Sequence, residues 1–292
     1  MDSIQIIGFS GTGNTRYVTD ALIRSLASQG VEAEYHEMEK FMLLSKGERT
    51  QDAFLTGIAF PVHAFNAPPL VEKFIRQLPA SQLPRKYFLI KTAGSPWAYG
   101  GSTSHLQKIL ARKNWHLQYE ALVPMPSNFL MGYTEGFIKM NLLYLQRQVE
   151  KITYELIGGK RRKLPNDILL HSLSYLGRVE HMGAKIYGRY LKVESNCIQC
   201  GQCFRDCPTR NIKYEDGKFR FGWKCTLCMR CSFRCPVQAF SHKHLGKAVM
   251  LKPPYDLKRI LADEAIHATD IRDNSLSYMK DLRNFYHREG LL

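Results

Sequence analysis

The chain has 292 residues, 45% of them hydrophobic, with 41 Lys or Arg against 26 Asp or Glu and a formal charge of +15. That length leaves room for more than one domain, and no stretch approaches the ~20 consecutive apolar residues of a membrane span. The apolar content is that of a globular protein rather than a disordered one, and the basic excess favours an acidic partner or an anionic surface.

The first predicted element is a strand from Ser3 to Phe9, a short run rich in β-branched residues. It feeds into Ser10-Gly11-Thr12-Gly13-Asn14-Thr15, followed by a helical pattern with Tyr17, Val18, Ala21, Leu22 and Leu26 on one face. Strand, hydroxyl- and glycine-rich turn, then helix is the arrangement that presents a phosphate to a helix N-terminus. The turn has neither the lysine of G-x-x-x-x-G-K-[ST] nor the G-x-G-x-x-G pattern. Backbone N–H groups, the hydroxyls of Ser10, Thr12 and Thr15 and the Asn14 amide are the expected phosphate donors. The competing reading is a turn that only caps its helix.

Further strands are expected over 31–35, 53–60, 87–92 and 117–123, with the clearest helices over 68–78 and 102–113. Alternating strands and helices with buried apolar strands predict an α/β fold, a doubly wound, five-stranded parallel sheet. Two loops leave the strand C-termini. One carries Pro61, Val62, His63, Ala64, Phe65 and Asn66; the other, after Thr92, carries Ala93, Gly94, Trp97, Tyr99, Gly100 and Gly101. Neither contains an acidic residue, and Lys91 and His63 are expected to make the local field positive.

Residues 124–131 form a rigid apolar loop, and 137–156 an amphipathic pattern of one or two helices, the part near 146–158 closing the sheet. The basic run after Gly158 is either a solvated helix end or a docking patch. Residues 166–191 are helical, basic and placed to brace two domains.

All eight cysteines fall between 197 and 235, in two runs of C-x2-C-x2-C-x3-C-P. Cys197, Cys200, Cys203 and Cys207 are followed by Pro208; Cys225, Cys228, Cys231 and Cys235 by Pro236. The runs are offset by 28 residues (225 minus 197), and Cys-Pro-Thr-Arg-Asn-Ile matches Cys-Pro-Val-Gln-Ala-Phe, so Ile212 and Phe240 are expected at equivalent core positions. Disulfides require an oxidising compartment, and no signal peptide pattern is present. Zinc favours paired C-x2-C knuckles without a third cysteine at the same step.

The cysteine runs resemble those of bacterial two-cluster ferredoxins, and the Ser10–Thr15 loop resembles the T-x-T-G-x-T loop of flavodoxins, with Ser10 in place of the first threonine. The chain thus resembles the flavodoxin-ferredoxin fusions of anaerobic bacteria and archaea. The resemblance implies FMN at Ser10, Thr12, Gly13, Asn14 and Thr15, with the ring between the two loops named above, Thr92 included. It implies two [4Fe-4S] clusters, each run lending its fourth cysteine to the other: Cys197, Cys200, Cys203 and Cys235 for one, Cys225, Cys228, Cys231 and Cys207 for the second. It further implies a flavodoxin-like domain over 1–158 and a small α+β two-cluster ferredoxin domain over 192–245; between and after them the residues themselves, with no motif, suggest a helical linker over 159–191 and a tail with short helices over 246–292.

These cofactors temper the charge. Each oxidised cluster with four thiolates carries about −2 and a flavin phosphate about −2, leaving about +9. No nucleic acid is expected. A redox protein partner of acidic-ferredoxin type is expected in the cytoplasm, with peripheral contact to an anionic surface as an option; reduction of a small organic substrate by the flavin is the alternative activity.

Overall fold

The structure is a computed structural model that describes residues 3–44, 53–96, 103–127, 132–165, 181–244, 254–273 and 278–292. Five parallel strands, β1 (Ile4–Gly8), β2 (Ala33–Glu37), β3 (Leu55–Pro61), β4 (Arg85–Ala93) and β5 (Trp115–Pro124), form one sheet in the order β2-β1-β3-β4-β5. This is the flavodoxin-like order, with its switch point between β1 and β3.

Alternation within each strand separates two cores. Ile4, Ile6, Phe88, Ile90, Ala121 and Val123 pack beneath α1 (Asn14–Ser28) and α5 (Glu135–Ile157). Ile7, Phe9, Ile58, Phe60, Tyr87 and Leu89 pack beneath α2 (Met38–Phe41), α3 (Pro69–Gln77) and α4 (Ser104–Ala111). Buried on both faces, β1, β3 and β4 need the near-continuous apolar runs they have, whereas β2, at the sheet edge, is only partly buried.

Differences from the sequence expectation lie at boundaries. The second strand starts at Ala33, because Val31 N–H turns back to Leu26 O at the end of α1. Residues 135–157 are one unbroken helix, started by Thr134, whose hydroxyl accepts from Phe137 N–H (3.2 Å).

Beyond α5, α6 is described over 181–189. The cysteine-bearing region holds β6 (Leu191–Val193) paired with β9 (Phe240–His242), and the hairpin of β7 (Ile212–Glu215) with β8 (Lys218–Phe221). Short helices α7 (Gln202–Arg205) and α8 (Arg230–Phe233) occupy equivalent places in the two halves. Ile212 and Phe240 are both buried in one small core with Leu191, Phe221 and Met229.

The tail forms α9 (Leu257–Ala262) and α10 (Met279–Arg288) and joins the first domain's cores. Leu257 and Ile260 pack with α5, while Leu282, Phe285 and Tyr286 pack with Ala93, Leu122 and Met140. Among the described residues no helix is long and apolar enough to cross a membrane.

Candidate functional site

At the switch point, Gly13 takes a positive φ of 115° and α1 begins at Asn14. Arg16 N–H donates to Ser10 Oγ (3.2 Å), curling the loop over the helix end. The Thr15 and Thr92 hydroxyls lie 2.8 Å apart, tying this loop to the end of β4. The Asn14 amide, read from sequence as a phosphate donor, instead donates to Pro126 O (2.7 Å) and Tyr255 Oη (2.9 Å). Tyr255 also donates to Pro126 O (2.9 Å), so the tail clamps the apolar 124–127 loop onto the phosphate-type loop.

After β3, His63 and Asn66 exchange two backbone hydrogen bonds of 2.8 Å across Ala64 and Phe65, whose φ angles are 48° and 60°. Positive φ at both central positions makes a tight turn that non-glycine residues enter only under strain. His63 Nδ1 is buried without a hydrogen-bond partner. Burial, with His181 adding to it and the Thr226 backbone opposing, lowers the His63 pKa to about 4.

Lys91 is fully buried, 2.8 Å from Glu120 Oε1. Burial pushes the Glu120 carboxyl up, but Lys91, Thr103 and the Leu164 N–H outweigh it and hold it below its usual range. The expectation of a positive field is therefore overturned at both positions: His63 is neutral at pH 7, and the Lys91 charge is matched inside the fold.

In the second region the duplication extends to the backbone. Gln199 and Leu227, Gly201 and Met229, and Arg210 and Gln238 all have positive φ, each pair 28 positions apart. Gln199 N–H donates to Cys197 Sγ and Leu227 N–H to Cys225 Sγ, both at 3.4 Å; Asn211 N–H donates to Cys207 Sγ (3.2 Å) and Ala239 N–H to Cys235 Sγ (3.3 Å).

Two cavities divide the cysteines. Cys197, Cys200, Cys203 and Cys235 line one, with Val193, Ile198 and Phe240. Cys207, Cys225, Cys228 and Cys231 line the other, with Leu191 and Ile212; Cys231 borders both. Burial pushes the thiols of Cys203 and Cys225 up, to about 11 and about 12, and raises Cys228 and Cys231. Thiolates at these four positions need a bound cation to neutralise them, and four cysteines around each cavity with N–H donors to their sulfurs fit an iron–sulfur cluster. Among the described residues no group of three or more His, Cys, Asp or Glu is set to hold a single metal ion. A cubane draws each thiolate to a different iron, so its ligands stand farther apart than those of one zinc.

The two regions meet at one cavity of about 250 Å³. Ser10, Gly11, Thr12, Asn14 and Thr15 form one wall; Pro61, Val62, His63 and Ala64 a second; Thr92, Ala93 and Gly94 a third. The fourth comprises Thr226, Leu227, Cys228 and Met229, from the second cysteine run. Met125, Pro126 and Ser127 cover it, and His181 and Ala184 of α6 close one side. Phe65 and Asn66 are not among the lining residues; Asn66 holds the turn through Ala64 O (2.9 Å). Trp97, Tyr99, Gly100 and Gly101 lie outside the described residues.

Residues 189–236 match the family model of the 4Fe-4S dicluster domain. The chain joins a flavodoxin-like α/β domain to this iron–sulfur domain. No curated protein matches it. Solved structures similar to it include a Streptococcus pneumoniae TIGR4 flavodoxin, 13% identical, covering 53% of this chain and 97% of that one, TM-score 0.38. A short-chain flavodoxin associated with a PDU bacterial microcompartment is 12% identical, covering 54% and 98%, TM-score 0.40. The rubredoxin oxygen:oxidoreductase of Desulfovibrio gigas is 16% identical, covering 55% of this chain and 37% of that one, TM-score 0.38. What makes the first domain flavodoxin-like is its strand order. An iron–sulfur domain packed against that switch point supports a redox, electron-transfer role.

Sequence reasoning missed His181, which lines the cavity, and Tyr255, which holds two of its lining residues, Asn14 and Pro126. Neither sits in a motif, and each reaches the site only through long-range packing.

Proposed function

We propose that the chain carries electrons between an FMN in the interdomain cavity and two [4Fe-4S] clusters, exchanging them with a separate redox protein. The observation that carries this reading is the shared cavity, whose walls come from both the Ser10–Thr15 loop and the Thr226–Met229 loop. Ser10, Thr12 and the N–H groups at the start of α1 would hold the phosphate. When bound, FMN accepts one or two electrons and each cluster one, so the pair interconverts electron counts.

The order of the relay follows from exposure. The cavity lined by Cys225, Cys228, Cys231 and Cys207 adjoins the flavin side, whereas Cys200 is exposed and Ile198, in the other set, is 62% exposed. Electrons would enter or leave through the outer set. Residues 197–242 hold eight Lys or Arg against three Asp or Glu, so an acidic docking partner is favoured.

Reduction of an organic substrate is the second reading, favoured by His63 and His181 in the cavity, where an imidazole can hold or pass a proton. Anaerobic stopped-flow mixing with reduced ferredoxin, NADH and NADPH tests the relay. Rapid flavin reduction by ferredoxin, lost when the outer cysteines are replaced, supports it; flavin reduction indifferent to cluster loss would overturn it. Thr12→Val with Thr15→Val should lower FMN content and leave iron unchanged.

A further inference from the structure

Arg230 lies between Cys228 and Cys231 and is 8% exposed, in a domain whose other arginines mostly face solvent. It borders both cysteine-lined cavities. One terminal nitrogen donates to Ser10 O (2.8 Å), in the phosphate-type loop; the other donates to Asp206 O (3.1 Å) and pairs with Glu39. Its Nε–H is buried with no hydrogen-bond partner. An orphaned donor of this kind is costly unless something absent from the polypeptide accepts it. The internal repeat places Gln202 at the equivalent position, so only the second half has a cation here.

We propose that Arg230 sets the reduction potential of the cluster held by Cys225, Cys228, Cys231 and Cys207, its Nε–H donating to a cluster sulfur while its terminal nitrogens fix that cluster to Ser10. This rests on the electron-relay reading above. One-electron reduction adds one negative charge to the cluster, with no bond made or broken, the electron coming from the flavin or the redox partner. A sulfur-directed N–H and a nearby positive charge both stabilise that added electron. Glu39 opposes the charge term and keeps the guanidinium in place. Arg230 is thus a positioning residue that also reaches across to the flavin loop.

The test is an anaerobic redox titration, followed by electron paramagnetic resonance, of wild type, Arg230→Gln, Arg230→Lys and Glu39→Gln, with iron and FMN content measured on each. Arg230→Gln at full iron should disfavour electron transfer from flavin to this cluster at least tenfold, equivalent to about 59 mV for a one-electron couple. Arg230→Lys should recover part of that shift, and Glu39→Gln should move the potential upward. Unchanged potentials in Arg230→Gln and Glu39→Gln at full iron would overturn the proposal. If Arg230→Gln loses iron, the sign of the Glu39→Gln shift decides alone. A wild-type protein lacking iron or flavin would instead refute the relay reading.

Discussion

Gly11 and Cys228 meet backbone to backbone: a β-carbon placed on Gly11 would stand 2.1 Å from the Cys228 carbonyl oxygen. The neighbour is backbone and cannot rotate away, so Gly11→Ala must push the iron–sulfur domain off the flavin side. The expected cost is about 1–3 kcal/mol. Thermal melts should register that loss while iron content holds. Stopped-flow traces should show slower flavin-to-cluster transfer; unchanged rates would mean the two cofactors do not communicate through this contact.

Lys91 and Glu120 make a second relationship whose disruption is predictable. Lys91→Met leaves an ionised carboxylate buried, for a cost of about 3–5 kcal/mol, and Lys91→Met with Glu120→Gln should restore most of it. The Glu120 carboxyl is depressed in the fold, so its contribution is present above the unfolded carboxylate pKa and is lost as pH falls through the folded one. Denaturant titrations below about pH 4.3 should therefore show a shallower acid loss in Glu120→Gln than in wild type.

These two cases mark what the sequence makes legible. The cysteine spacing, the Ser10–Thr15 loop and the alternation of apolar strands are local patterns, and the cysteines line two cavities. The Lys91–Glu120 pair, the Tyr255 clamp and the Arg230–Glu39 contact join residues 29, 241 and 191 positions apart. No periodicity records such meetings, so the sequence offered Lys91 only as a source of positive field and the tail only as short helices. The unbroken α5 illustrates the boundary case: its apolar pattern is plain, but only Thr134 at its start and the packing along its length decide that it is one helix.

His63 gives a pH signature distinct from that of the carboxylates. Burial places its folded pKa at about 4, against 6.5 unexposed to such an environment, so between those values the unfolded chain binds more protons. Stability should fall as pH drops from 6.5 to about 4, by on the order of 3 kcal/mol at most. His63→Gln should flatten the curve in this window. A wild-type curve that is level there and falls only below the carboxylate range would contradict the buried, neutral imidazole.

Through Tyr255 the tail holds two residues that line the cavity, Asn14 and Pro126. Tyr255→Phe removes the hydroxyl that meets Asn14 and Pro126 while keeping the ring against Phe233, 5.4 Å between centroids. The lost hydrogen bonding is worth about 1 kcal/mol, so FMN should bind roughly fivefold more weakly. Flavin fluorescence on dilution measures this, and iron content should stay constant. If iron falls with flavin, the Tyr255 hydroxyl supports the contact between the two domains and not the loop alone.

The cavities make the fourth cysteine of each run the most discriminating position. Cys207 belongs to the first run in sequence but lines the cavity of Cys225, Cys228 and Cys231, while Cys235 lines that of Cys197, Cys200 and Cys203. Cys207→Ala should therefore damage the cluster nearer the flavin, and Cys235→Ala the outer one. Magnetic resonance spectra of the reduced proteins separate the cases: Cys207→Ala and Cys225→Ala should lose the same signal, as should Cys235→Ala and Cys197→Ala. Flavin reduction by a protein donor should fail in all four. If, as proposed, the outer cluster stands between donor and inner cluster, both Cys235→Ala and Cys197→Ala should keep fast electron exchange between reduced flavin and the remaining cluster, and Cys207→Ala and Cys225→Ala should lose it. Pairing of Cys207→Ala with Cys197→Ala instead would mean that each run closes on itself, and the crossed arrangement would be wrong.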